Sequence, residues 1–211
     1  MEENKKERKI IKIGILGDSA VGKTAILNSI LNMEFKEEGI ATIGTDKYEQ
    51  NFKLKNNEKV KLIFFDNSGN ERFRESSTKS MKSSDGIILI FDLTKKQSLE
   101  NLNIWLELIK NNLNNPYIIL FGNKADLDKN KWQINSEEIN KFSQEKNFAY
   151  FETSAKYNQG INEGLQYIAN EIYENKYGEK NDINEIQIKK NDDSKNSKKN
   201  SDCVRNKKSK K

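Results

Sequence analysis

The sequence predicts an α/β domain with a doubly wound, mostly parallel sheet, and three observations carry the prediction. Short apolar runs alternate with stretches of helical periodicity from residue 10 to about residue 175. Two runs, Ile87–Phe91 and Tyr117–Phe121, are continuously apolar, as strands covered on both faces must be. Between the first apolar run and the first helical stretch lies the glycine-bearing segment Gly17–Thr24, at the kind of strand-to-helix turn where such sheets open their binding loops.

The elements follow in order. Ile10–Leu16 reads as the first strand and Gly22–Leu31 as the first helix. Tyr48–Leu54 and Val60–Asp66, joined by the polar Lys55–Lys59, form a hairpin that adds one antiparallel strand. Ile87–Asp92, Tyr117–Phe121 and Phe148–Glu152 complete six strands. Ser98–Asn111 carries Leu99, Leu102, Trp105, Leu106 and Ile109 at helical spacing, and Ile161–Tyr173 places Ile161, Leu165, Ile168 and Ile172 on one stripe. A further helix opens at Ser136, read as its N-cap. The expected organisation is a charged extension over residues 1–9, a domain over 10–177 and a disordered basic tail over 178–211.

Composition narrows the function. The chain has 211 residues, 37 Lys and Arg against 32 Asp and Glu, and a net charge of +5. No apolar run reaches the roughly 18 to 20 residues of a membrane-spanning helix, and the charged Met1–Lys9 does not read as a secretory signal. A single cysteine, Cys203, excludes an internal disulfide framework and fits a reducing compartment. The absence of histidine excludes His-based nucleophile activation and HExxH zinc chemistry. Residues 176–211 hold 12 basic and 6 acidic side chains, so the basic excess belongs to the tail; nucleic-acid binding by the body gains no support.

Four segments carry chemistry, each expected at the carboxyl end of a strand. Gly17-Asp18-Ser19-Ala20-Val21-Gly22-Lys23-Thr24 matches GxxxxGK[ST], in which backbone N–H groups and a helix N-terminus cradle phosphates. Lys23 adds a cation and Thr24 a hydroxyl for Mg²⁺. Asp66-Asn67-Ser68-Gly69 closes the third strand; Asp66 would hold Mg²⁺ through water and Gly69 would offer its N–H to a γ-phosphate. In Asn123-Lys124-Ala125-Asp126 the carboxylate can accept from guanine N1–H and its amino group, and the Lys124 stem would pack along base or ribose. Ser154-Ala155-Lys156 would present backbone N–H groups to guanine O6. Thirty-three lysines and 29 asparagines make motifs such as NKxD cheap in this chain, so order and strand context decide.

Those four motifs, with Thr42-Ile43-Gly44, Glu71-Arg72-Phe73-Arg74, Phe91-Asp92-Leu93-Thr94, Ser98 and Trp105, resemble the small GTPases of the Ras superfamily, most closely the Rab branch. The resemblance covers residues 10–175. It implies a G domain with six strands and about five helices, GTP/GDP exchange with Mg²⁺, and a switch recruiting effectors in vesicle and membrane traffic. It gives Thr42 the role of Mg²⁺ and γ-phosphate ligand in the first switch, roughly residues 36–46, and Phe35 an edge-on contact with guanine. The second switch would span roughly residues 66–82. Exchange factors, activating proteins and effectors are the implied partners of a monomer in the cytoplasm or on the cytoplasmic face of an endomembrane.

The chain also departs from the family. Asn70 stands where the family has its catalytic glutamine and is one methylene shorter, so with Lys23 and Thr42 in place the expected hydrolysis is slow. Gly39 replaces a first-switch aromatic, and Lys47, Phe65 and Ser80 occupy the positions of an effector-contact aromatic triad. Asn67 and Ser68 replace the family's usual threonine and alanine. Cys203 lies ninth from the end of the sequence, in neither a CaaX box nor a terminal cysteine pair, and Glu2 excludes myristoylation. A basic tail on anionic lipid, at about 1 kcal/mol per charge, is the expected membrane contact. The alternative to a cycling GTPase is a nucleotide-locked scaffold; a P-loop kinase or ATPase fits poorly, because Asp126 rejects adenine.

Overall fold

The structure, a computed structural model, describes residues 9–36, 42 and 44–178. Most of the expected N-terminal extension, Gly39, Ile43 and the tail with Cys203 lie outside the described residues. The described residues divide into two units, parted between Ile172 and Tyr173. In the second, Glu174–Gly178 form a π-helical turn in which the rings of Tyr173 and Tyr177 lie 5.6 Å apart.

Six strands build the sheet of the first unit: β1 (Ile10–Leu16), β2 (Thr45–Lys53), β3 (Lys59–Asn67), β4 (Gly86–Asp92), β5 (Tyr117–Asn123) and β6 (Ala149–Glu152). Their order is β2-β3-β1-β4-β5-β6, with β2 antiparallel to β3 and every other pairing parallel. This is the expected architecture. β4 is buried along its whole length, as its apolar run requires. Ile87, Leu89 and Phe91 join Leu102, Trp105, Ile109 and Ile139 in one core cluster, so that face is covered by helices. Gly86, on the alternate face, has no room for a side chain: a Cβ would meet Ile172 Cδ1 at 2.6 Å.

The helices are α1 (Lys23–Ile30), α2 (Arg74–Ser80), α3 (Lys96–Glu100), α4 (Leu102–Asn112), α5 (Ser136–Lys146) and α6 (Ile161–Tyr173). Asn101 between α3 and α4 keeps right-handed helical geometry, so the two form one run and, among the described residues, five helices accompany the sheet.

Several boundaries correct the sequence reading. β2 begins three residues earlier than expected because its polar start, Thr45-Asp46-Lys47, is held by the ladder to β3 and by a 2.6 Å bond from Thr45 Oγ1 to Asn67 Oδ1. The helix expected from Ser98 begins at Lys96; Ser98 is buried inside it, accepting from Asp92 N at 3.0 Å. Ser136 is not the cap of α5. Asn135 is, in a capping box where its side chain accepts from Glu138 N and the Glu138 carboxylate accepts from Asn135 N. α2 was unread because Arg-Glu-Ser-Ser-Thr-Lys-Ser has no apolar stripe.

Candidate functional site

A cleft of about 800 Å³ opens at the carboxyl ends of β1, β3, β5 and β6. It gathers Ser19, Ala20, Gly22, Lys23 and Thr24 from the first motif, Asn67, Ser68 and Gly69 from the second, and Asn70 just after it. Asn123, Lys124, Asp126, Ala155 and Lys156 line its other end, with Phe35 and Thr42 from the segment before β2. Gly17, Asp18, Val21, Asp66 and Ser154 do not line the cleft.

The phosphate end starts from the backbone. Gly17 and Gly22 take φ of +145° and +101°, which only glycine adopts readily, and a Cβ on Gly17 would lie 2.1 Å from Ile90 O. Gly22 turns the chain directly into α1, whose first turn carries no acidic residue to neutralise its N-terminal dipole. Lys23, 6% exposed, donates to Asp18 O at 2.7 Å. Burial pulls its ammonium down to about 8, against the pull of Asp66 and Asp18. A phosphate chain would supply the negative charge this buried cation lacks.

Three oxygen donors meet beside Lys23. Thr24 Oγ1 donates to Asp66 Oδ2 at 2.7 Å and lies 3.0 Å from Thr42 Oγ1. Asp66 is 1% exposed, and its Oδ1 has no hydrogen-bond partner among the described residues. Burial raises the Asp66 pKa, opposed by the Thr24 hydroxyl and Lys23. Two hydroxyls and an under-satisfied carboxylate are hard donors that fit a divalent cation such as Mg²⁺.

The base end is built by bonds between loops. Ser154 Oγ donates to Asp126 Oδ1 at 2.7 Å and accepts from Tyr157 N at 3.2 Å, holding the Asp126 carboxylate in place. Asn123 is 2% exposed; its Nδ2 donates to Val21 O at 2.9 Å, and its Oδ1 accepts from Ala155 N at 3.2 Å. One side chain thus joins three motifs. The Ala155 N–H expected at guanine O6 is directed to Asn123 in this structure.

Asp18 is expected among nucleotide contacts, yet its carboxylate turns the other way. It accepts from Arg74 Nη2 at 2.9 Å, Trp105 Nε1 at 2.9 Å and Asn101 Nδ2 at 2.5 Å. The Arg74 guanidinium also stacks 5.5 Å over the Trp105 ring. No local pattern in the sequence announces these partners, which lie 56 to 87 residues away. Asn67 was also missed: fully buried, it donates to Phe65 O and Met81 Sδ, tying β3 to the end of α2.

Asn70 is exposed at the rim, and its side-chain oxygen accepts from Arg72 N at 3.0 Å, capping the 3₁₀ turn Glu71–Phe73. On the outer strands Lys47 stands opposite Phe65 and pairs with Glu49 at 2.9 Å.

A glycine-bounded loop feeding a helix N-terminus, beside a hard-oxygen cluster in a mostly parallel sheet, defines a P-loop α/β domain. The model of the Ras family matches residues 12–174. The Ras-related protein Rab-13 of Bos taurus is 33% identical over 164 residues, covering 77% of this chain and 80% of the relative. The Ras-related protein RABG3f of Arabidopsis thaliana is 34% identical over 185 residues, covering 84% and 88%. The Ras-related protein Rab-5B of Plasmodium falciparum is 34% identical over 164 residues, covering 77% and 78%. The chain belongs to the Ras family, as a Rab-like small GTPase.

Proposed function

We propose that this chain is a GTP/GDP switch that recruits effectors in vesicle and membrane traffic and hydrolyses GTP slowly on its own. Its likeness to Rab-named relatives supports the trafficking half. Asp126, steadied by Ser154, reads guanine, with Phe35 against the base and the Lys124 stem along it. Lys23 and the backbone of residues 17–22 grip the phosphates, and Gly69, which lines the cleft, offers its N–H to a γ-phosphate. Thr24 and Thr42 would hold Mg²⁺ directly and Asp66 through water, the ion supplying charge neutralisation at the phosphate oxygens. Thr42, 3.0 Å from Thr24 Oγ1, would also meet the γ-phosphate, and loss of that contact on hydrolysis would release the first switch.

The observation that carries slow hydrolysis is the Asn70–Arg72 contact. The amide is short and its oxygen is already committed to a local turn, so it is poorly placed to orient an attacking water. Asn70→Gln should raise the single-turnover rate of GTP hydrolysis by about tenfold or more. A rate no higher than wild type would overturn the reading. The same contact favours a second reading, a nucleotide-locked scaffold; GTP bound tightly with no measurable turnover in either protein would establish it.

Membrane association is proposed to run through the basic segment of residues 176–211, with Cys203 as a candidate palmitoylation site. On fractionation the full chain should be partly membrane-bound and a chain ending at Tyr177 should be cytosolic, with Cys203→Ser intermediate. If all three remain cytosolic, the membrane half of the proposal fails while nucleotide binding stands.

A further inference from the structure

We propose that Asp92 is a positioning residue for the guanine end of the site, acting through Lys124. The inference rests on the reading of Lys124 as a nucleotide contact. Asp92 closes β4 and Asn123 closes β5, and the two are register partners in the parallel ladder. The residue after Asn123 therefore leaves the sheet beside the Asp92 carboxylate. Lys124 takes a left-handed backbone, φ +69°, and lines the cleft.

Its ammonium lies 2.6 Å from Asp92 Oδ2, a carboxylate side chain with no exposure at all, while Lys124 keeps 31% of its own. The contact is an ion pair without the alignment of a hydrogen bond, so distance and charge carry it. The other oxygen, Oδ1, is fixed by Thr94 N at 2.9 Å and Thr94 Oγ1 at 2.7 Å. Asp92 N in turn donates to Ser98 Oγ at the start of the α3–α4 run.

A buried carboxylate clamped from below thus presents one oxygen to the lysine that lines the cleft. A flexible four-carbon side chain held in one rotamer before ligand arrives loses less freedom on binding. Among the described residues Lys124 is the charged partner that the structure gives to Asp92. Its removal also leaves the lysine head without a counter-charge.

The test is a double-mutant cycle on GDP release, followed with a fluorescent GDP analogue on the full-length chain. Asp92→Asn is isosteric, and its amide oxygen can still accept from Thr94. It should speed release about tenfold, one ion-paired contact's worth. In a Lys124→Met background the same substitution should change release by less than about twofold, because the effect travels through Lys124. Single-turnover GTP hydrolysis, which depends on the phosphate end, should keep its wild-type rate. An equal effect of Asp92→Asn in both backgrounds would mean a merely structural role and would overturn the proposal, as would no effect in either.

If Asp92→Asn does not fold, Thr94→Val loosens the carboxylate from a residue outside the cleft. It should speed release about threefold with Lys124 present and not in the Lys124→Met background. A wild-type chain that bound no GDP would instead defeat the nucleotide reading itself.

Discussion

Asn123→Ala should release bound GDP about a hundredfold faster than the wild-type chain and lower its thermal midpoint. The side chain joins Val21 O to Ala155 N across the cleft floor, so its loss orphans a carbonyl of the phosphate loop and an N–H of the loop after β6. Each buried orphan costs about 1–3 kcal/mol. The backbone bond from Leu93 N to Asn123 O, at 3.1 Å, survives the substitution, so the strand end should hold while the loops part. A contact between Asn123 and the nucleotide is not needed for this result. Exchange of a fluorescent GDP analogue reads the rate and calorimetry reads the midpoint; a release rate within threefold of wild type would show that the three loops hold their places without Asn123.

Gly69→Ala should weaken GTP binding on the order of a hundredfold, equivalent to about 2.7 kcal/mol. The obstacle is space, since Gly69 does not use the left-handed region. A Cβ there would stand 2.1 Å from Lys23 Nζ, 2.4 Å from Asp18 O and 2.5 Å from Asp18 C. The lysine tip could bend aside, but the Asp18 backbone belongs to a loop held on several sides. Relief must therefore come by displacing the segment after β3 or by ejecting Lys23 from its seat, and either spoils the phosphate end. The nucleotide-free chain should also unfold below the wild-type temperature, because the clash with the Asp18 backbone is present before any nucleotide binds. GTP titration of both proteins checks the pair of expectations; unchanged affinity would falsify the role given to the close approach of Gly69 and Lys23.

Much of this was legible in the sequence, for identifiable reasons. β1 and α6 run over Ile10–Leu16 and Ile161–Tyr173 as read, because apolar residues alone define them. The four motifs lie in one cleft or directly behind it because each follows a strand of one sheet. What could not be read shares a different property. α2 is polar around its whole circumference and persists through contacts such as Thr78 Oγ1 to Arg74 O and the Glu75–Lys79 pair. The cap of α5 passed from Ser136 to Asn135 because one residue of phase decides which side chain reaches the third amide. Asp18, Asn67 and Asn123 were placed near a ligand by their motifs, whereas their side chains serve other parts of the protein. Spacing in a motif fixes where a residue sits; only the tertiary arrangement decides what it holds.

The three donors on Asp18 bear on how the phosphate loop meets its ligand. Trp105 and Asn101 belong to the α3–α4 run packed on the sheet, while Arg74 opens α2, within the expected second switch. Two anchors are therefore part of the frame and one rides on α2. A displacement of α2 would strip the charged donor and leave the two neutral ones in place. The loop would keep its shape through a nucleotide cycle, and the free energy of losing Arg74 would be charged against the moving helix alone. In such a cycle Asp18 would set a threshold for motion in α2 without loosening the cradle.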